Sequence, residues 1–256
     1  MSYFDAFVVV AFTAVAAAVA SWLVGRFLTV EARRRHHDVG NPVFLQVGVM
    51  LAVLLAFVFS EVWGEYRSAA LAINGECGAL HGAAMIANAL PDNDGQPVTR
   101  AIAGYAATVV NTEWPMMTHR RRSPRAAQAF DAIIRQAVNL KVTQSSESAT
   151  QNQIISLLSQ AHANRETRTV QLTQAMPPLM WFMLIAISAI LVGFVVFSGA
   201  DYPTHMIFSA VFAGSVALVL VLVRMLDFPF EGALALPDTD FVKTLGEVTI
   251  LARGAT

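Results

Sequence analysis

Apolar positions along the chain fall into four long runs, two before and two after a polar to amphipathic central stretch, residues 64–176. Because an α-helix rises about 1.5 Å per residue, a run of about 20 residues crosses the roughly 30 Å hydrocarbon core of a bilayer. The pattern therefore predicts four transmembrane helices. The runs are Ala6–Gly25, Pro42–Ser60, Leu179–Phe197 and Tyr202–Val223.

These runs are almost free of ionisable side chains. The one exception is His205, near the start of the last run. Ionisable groups inside a membrane usually mark proton or ion pathways. The centres of the runs lack such groups. The sequence therefore predicts the membrane architecture clearly but gives little indication of a chemical function.

The central stretch predicts helices, because apolar residues recur at 4-3 spacing and no alternating run is typical of a strand. No proline or cap separates the first such stripe from the second apolar run, so we expect one helix from about Pro42 to Leu90. Turn residues end it at Pro91–Gly95. The stripe is Tyr66, Ala70, Ile73, Cys77, Leu80, Ala84 and Ala87.

Three further helices are expected before the third apolar run. One runs from Pro97 to about Thr112, and one begins at Ser123-Pro124 and lasts until a polar break near Thr143. The last begins near Ser146 and leads towards Ala175, and Pro177-Pro178 then predicts a kink or break. Its stripe is Ile154, Leu158, Ala161, Arg165, Arg168, Leu172 and Ala175.

Arg165 and Arg168 thus stand among apolar positions, where an unpaired guanidinium is costly. If the two long helices form an antiparallel hairpin, Glu76 faces them, with Glu65 and Glu113 as further acceptors. A structural ion pair that fixes the register of the hairpin is the ordinary interpretation. An anion-attracting binding site is the alternative. We also expect Trp114 to dock against the hairpin.

Other residues give weaker signals. The six histidines are scattered and the only cysteine is Cys77, so we expect no metal site, cofactor or disulfide. No catalytic constellation or phosphate loop is present, so we expect no enzymatic activity. The arginines of 120–125 predict a solvated loop or a contact with anionic lipid headgroups. Net charge is −1, which gives no general attraction for nucleic acid.

The predicted organisation follows from these elements. The fold class is an all-α integral membrane protein: transmembrane helices 1 and 2 in 1–63, an extramembrane helical domain inserted at 64–176, transmembrane helices 3 and 4 in 177–226, and a tail at 227–256. The tail either lies on the membrane or folds against the outer helices. Aromatic residues after the last run, including Phe228 and Phe230, would anchor it among lipid headgroups.

The first short loop holds Arg33, Arg34 and Arg35, and positive residues in short loops favour the cytoplasm. We therefore expect the central domain to be extracytoplasmic.

Several local patterns together resemble one family. They are His37-Asp38-Val39-Gly40, Glu76, Tyr105, Glu113-Trp114, Arg165 and Arg168 before Pro178 and Trp181, and the stretch that carries Asp227, Pro229, Phe230 and Gly232. The chain resembles the bestrophin-like bacterial membrane family, a domain of unknown function grouped distantly with bestrophin anion channels. The likeness covers nearly the whole chain. It implies a bacterial inner-membrane protein and a channel-like homo-oligomer.

Two functions remain open. The first is an oligomeric anion channel with its pore between subunits, which hydrophobic constrictions and charges at helix ends can gate. The second is a non-enzymatic accessory or scaffold subunit that binds a larger membrane complex through its outer helices. The lipid bilayer is the expected partner in both cases, and nucleic acid in neither.

Overall fold

The computed structural model describes residues 1–27, 37–91, 94–141, 145–198 and 202–253. Several sequence predictions fall at least partly outside these residues: the arginines of the first loop, the centre of the turn after the first outer helix, the polar break near Thr143 and most of the turn at 198–201.

The described residues form nine α-helices and one π-helical turn, and no strand is present among them. The all-α prediction is confirmed, and four helices are long and apolar enough to cross a membrane. The helices are α1 (Tyr3–Phe27), α2 (His37–Asn88), α3 (Gln96–Thr108), α4 (Trp114–Met117), α5 (Pro124–Val138), α6 (Ser145–Val170), α7 (Pro178–Phe197), α8 (Tyr202–Leu226) and α9 (Thr239–Arg253); the π-helical turn Val109–Glu113 joins α3 to α4.

The chain divides into two compact units, which we describe separately. Unit 1 comprises Met1–Gly64 and Ala175–Asp227, and unit 2 comprises Glu65–Gln174 and Phe228–Thr256. The long helix predicted from about Pro42 is a single helix, α2, and it begins five residues earlier than expected, at His37.

Unit 1 is built from the apolar helices. Helix α1 packs along α8, and α7 contacts both. Small residues allow the close approach of α1 and α8, since a Cβ added at Gly214 would lie 3.4 Å from the Cβ of Ala14. Phe44 of α2 stacks on Phe194 of α7 with 5.0 Å between ring centroids.

Unit 2 contains an antiparallel pair of helices, the second half of α2 and α6. A Cβ added at Gly75 would lie 2.7 Å from Asn164 Nδ2, and one added at Gly82 would lie 3.5 Å from Leu157 Cδ1. Residue numbers rise along α2 where they fall along α6, so the two helices run in opposite directions. The apolar stripes predicted for both helices line their contact, with Leu80, Leu158 and Ala161 fully buried.

The remaining helices close around this pair. Helix α3 packs against both α5 and α9. Helix α5 begins where the sequence predicts, because Ser123 Oγ accepts the Ala126 N–H at 3.3 Å and Pro124 occupies the first turn. Of the two positions expected for the C-terminal segment, the structure has it folded against the outer helices, where Phe241 is fully buried.

Helix α6 ends sooner than predicted. It stops at Val170, and the chain turns through residues 171–173 before α7 starts at Pro178. The break expected at Pro177-Pro178 is present, but the helix does not reach Ala175.

Candidate functional site

The inside of unit 2 holds five polar side chains in mutual contact, which we name the buried polar cluster: Glu76, Tyr105, Glu113, Arg165 and Arg168. Four of them are fully buried, and Arg165 is 6% exposed. Two carboxylates and two guanidinium groups balance, so the cluster carries no net charge when Tyr105 is neutral. Such neutrality is required where water cannot solvate the ions.

Arg168 is the centre of the cluster. Its Nε donates to Glu76 Oε2 at 2.8 Å and its Nη2 donates to Glu76 Oε1 at 3.3 Å, which makes a bidentate pair. The same Nη2 also donates to Glu113 Oε2 at 3.0 Å. One guanidinium therefore joins helix α2 to the end of the π-helical turn.

Arg165 completes the pairing of Glu113. Its Nη2 donates to Glu113 Oε1 at 2.7 Å, and its Nε donates to the hydroxyl of Tyr105 at 3.1 Å. Both oxygens of Glu113 thus accept a charged hydrogen bond, each from a different arginine. Since the two arginines are three residues apart on α6, they lie on one face of that helix.

The Tyr105 hydroxyl links the two ion pairs. It donates to Glu76 Oε1 and accepts from Arg165, with Arg168 Nη2 3.5 Å away. Burial raises the pKa of Tyr105 well above its usual value, and the charge of Glu76 raises it further. The hydroxyl therefore keeps its proton and remains a donor to Glu76.

Aromatic rings enclose the Arg168 guanidinium. It lies 5.1 Å from the ring centroid of Phe241 and 5.9 Å from that of Trp114, both within cation–π range. Burial alone would lower the pKa of Arg168, but the charge of Glu76, together with Tyr105 and Glu113, raises it above the ordinary value. Arg168 is therefore a permanent cation in the core of unit 2.

The local sequence explains how Glu113 reaches the cluster. Residues Val109–Glu113 form a π-helical turn just before Pro115, whose ring supplies no backbone N–H. Such wide turns re-aim side chains and often mark functional positions. Here Val109 and Glu113 are both buried, and Trp114 follows directly.

Trp114 is packed inside unit 2, 5.9 Å from Arg168 of the predicted hairpin, and its ring contacts are made outside that hairpin. Its ring meets Phe230 edge-on at 5.9 Å and Phe241 at 5.7 Å. Phe230 is only 3% exposed, so the expectation that it anchors the chain among lipid headgroups is wrong. Its apolar surface is already covered by the core of its own unit.

The other predicted residues after the last apolar run take part in local backbone contacts. Asp227, the last residue of unit 1, accepts the Met176 N–H at 2.9 Å. The Pro229 carbonyl accepts the Leu236 N–H at 2.8 Å, and Gly232 has φ 83°. Only glycine adopts that angle without strain, so Gly232 suits this tight loop.

The basic segment is not simply solvated. Arg120 pairs with Glu231, with Nη2 2.6 Å from Oε2, and its guanidinium stacks 3.4 Å from the Phe228 ring centroid. Arg122 lies 3.6 Å from Glu166. Two of these arginines thus have carboxylate partners within unit 2, which neither the solvated loop nor the lipid contact predicts.

No group of three metal-binding side chains occurs in the described ranges. His81 instead approaches Glu247, with 3.2 Å between Nδ1 and Oε2. Burial raises the pKa of the Cys77 thiol to about 12, so little reactive thiolate forms near neutral pH.

A comparison with protein families identifies the family of this chain. The model of the bestrophin-like domain matches residues 11–241, which is most of the sequence. The chain belongs to the bestrophin-like family.

Solved structures show the same fold for this bestrophin-like chain. A bacterial bestrophin homologue from Klebsiella pneumoniae, in a single-residue variant, has TM-score 0.75 at 13% identity, covering 96% of this chain and 99% of the other. A second structure of the Klebsiella homologue has TM-score 0.75 at 12% identity with the same coverage. A structure described only as a membrane protein variant has TM-score 0.76 at 13% identity. A search of curated proteins gives no match.

Sequence reasoning missed two parts of the cluster in this bestrophin-like chain. Tyr105 stood out in the family resemblance but was given no role, although its place between Ile102 and Val109 on one apolar helical face was a usable signal. Phe241 gave no signal, because its contact depends on how α9 docks.

The geometry of the cluster favours a structural role. Each charged side chain of the cluster pairs with an opposite charge inside it, and four separate elements meet there: α2, α3, the π-helical turn and α6. Truncating one member would leave its partner buried without a counter-charge.

Proposed function

We propose that this bestrophin-like protein assembles in the membrane as an oligomeric anion channel. The observation that carries the proposal is the family match over residues 11–241, together with a fold shared over nearly the whole chain with bacterial bestrophin homologues. The four apolar helices cross the bilayer, and unit 2 lies outside it.

The surface of unit 1 supports assembly. In the most apolar stretch of α2 only 11% of the residues are buried within the chain, and the side chain of Phe57 is 72% exposed. Lipid or a second copy must cover such a surface, because apolar side chains avoid water. A conducting pathway between copies fits a unit whose described helices carry no charged residue midway across.

Anion conduction does not need buried ionisable groups. Apolar constrictions gate by expelling water, and charges at helix ends select among ions. Arg26 near the end of α1 is a cation in such a position. The buried polar cluster then serves as the fixed core of unit 2, not as an ion-binding site.

Purification in detergent, followed by mass measurement and by current recordings in planar bilayers, tests the proposal. We expect an assembly of several copies and a chloride permeability well above that of gluconate or potassium, measured from reversal potentials in planar bilayers. Protein-free bilayers are the control. A monomer without flux would contradict the proposal, and a monomer that copurifies with another complex would support the accessory role.

The side of the membrane on which unit 2 lies stays a prediction. A cysteine introduced at Asp94 in a Cys77→Ser background should react with an impermeant thiol reagent in intact cells if unit 2 is extracytoplasmic. Reaction only after permeabilisation would reverse that orientation.

A further inference from the structure

An open cavity of about 490 Å³ lies within unit 1, between helices α1, α7 and α8. Its wall is mostly apolar, with Val9, Ile185 and Leu220 among the lining residues. All three helices are apolar enough to cross a bilayer, so the cavity faces hydrocarbon and not water. Water does not fill an apolar cavity well, whereas a hydrocarbon chain does.

The length of the cavity matches one leaflet. On α7 the lining runs from Trp181 to Val192, and on α8 it runs from Ala213 to Arg224. Each stretch advances eleven residues, which corresponds to about 16 Å along a helix. That is about half of the roughly 30 Å hydrocarbon core. An occupant of this shape is long, thin and confined to one side of the bilayer.

One end of the cavity carries charge. Arg224 lines the cavity from the last turn of α8, and Trp181 lines it near the start of α7. Among the described lining residues no other side chain is charged, and Met1 adds its α-amino group. Tryptophan favours the level of lipid headgroups, and an arginine there attracts phosphate. The charged end therefore lies where a headgroup would be, and the apolar remainder lies where acyl carbons would be.

We propose that this cavity is a lipid site that holds one acyl chain of an anionic phospholipid, with the phosphate at Arg224. The site is distinct from any conducting pathway, and its occupancy is measured without reference to flux. Failure of the channel proposal therefore leaves this one open to its own test.

Quenching of Trp181 fluorescence by spin-labelled lipid in nanodiscs measures occupancy. The background is Trp22→Phe with Trp63→Phe, since both rings are about half exposed and tolerate change. Trp114, buried in unit 2, then serves as an unquenched reference. We expect phosphatidylglycerol labelled on its acyl chain to quench Trp181 at a mole fraction about fivefold lower than equally labelled phosphatidylcholine, because only the former carries net negative charge.

Two matched pairs of variants locate the binding. Ala189→Phe places a ring at the cavity and should remove the preferential quenching, whereas Ala16→Phe, on an exposed face of α1 outside the cavity, should preserve it. Arg224→Gln should equalise the two lipids, Arg224→Lys should retain most of the preference, and Arg26→Gln should leave it unchanged.

Equal quenching by both lipids in the parent protein would overturn the proposal. So would a preference that survives Arg224→Gln, or one that Ala16→Phe and Ala189→Phe reduce equally. Absence of quenching by either lipid would show that another copy of the chain fills the cavity instead.

Discussion

Units 1 and 2 are both helical, yet large apolar side chains face outward in unit 1 and inward in unit 2. In unit 1 large apolar side chains face outward, and Phe12 and Phe182 are 73% and 69% exposed. In unit 2 apolar side chains are packed inward, and two glutamates and two arginines are buried with them. This difference fits the proposal that lipid surrounds unit 1 and water surrounds unit 2.

The two units are stabilised by different interactions. Lipid is as apolar as leucine, so helices in unit 1 gain from close contacts between small residues such as Ala14 and Gly214. Unit 2 has an ordinary apolar core but holds charges that water cannot reach, so each charge depends on its partner. Unit 2 should therefore be sensitive to lost charges, whereas unit 1 should depend on apolar contacts between its helices.

Removing Arg168 should have the largest effect. Arg168→Ala leaves Glu76 buried without its bidentate partner, and we expect a loss of about 3–5 kcal/mol in the free energy of unfolding. Arg122→Ala is the matched control, because Arg122 and Glu166 are about half exposed and such pairs contribute about 1 kcal/mol or less. Equilibrium denaturation of the full chain in detergent measures both.

The double variant Glu76→Ala with Arg168→Ala checks the cause. If the stranded charge dominates, the double variant is more stable than the sum of the single losses implies. Equal losses for Arg168→Ala and Arg122→Ala would contradict the contrast between buried and exposed pairs.

Much of the fold was predictable from sequence because its signals are local. Twenty apolar residues without a charge specify a spanning helix, and the absence of a break before Tyr66 specifies the continuity of α2. The end of α6 was predicted too late. Leu172 fits the apolar stripe and is indeed buried, but its N–H donates to Thr169 in a turn, so an apolar position did not guarantee a helical one.

The cluster was predictable only in part. Charges within an apolar stripe must find acceptors, which indicated Arg165 and Arg168 and their pairing with Glu76 or Glu113. The sequence did not decide which arginine pairs with which glutamate. In the structure Arg168 pairs with Glu76, and Arg165 with Glu113.

Loss of one hydroxyl should have an intermediate effect. Tyr105→Phe removes a donor to Glu76 and an acceptor for Arg165, and hydrogen bonds to charged groups contribute about 1.5–3 kcal/mol. Tyr66→Phe, which removes a bond to the Leu234 carbonyl, should cost about 0.5–1.5 kcal/mol. The same denaturation experiment compares them, and equal losses would remove the special role of Tyr105.

The pH dependence has a definite sign. Because the pKa of Tyr105 is raised in the folded state, its contribution to stability is present below the unfolded tyrosine pKa of about 10 and is lost as pH rises towards the folded value. The difference between wild type and Tyr105→Phe should therefore shrink above about pH 10. A difference that stays constant across that range would contradict the raised pKa.

Substituting one glycine in each unit should have the smallest effects on stability and compares the two units directly. A Cβ added at Gly95 in unit 2 would lie 1.8 Å from the Ala87 carbonyl oxygen, so Gly95→Ala must displace backbone and should cost about 1–3 kcal/mol. At Gly214 in unit 1 the added Cβ meets Ala14 at 3.4 Å, an ordinary contact, while alanine favours the helix by up to about 1 kcal/mol. Gly214→Ala should thus be neutral or slightly stabilising in thermal unfolding. A larger loss at Gly214 than at Gly95 would mean that the α1–α8 contact is already too tight for one methyl group, and that the apolar unit is the more closely packed of the two.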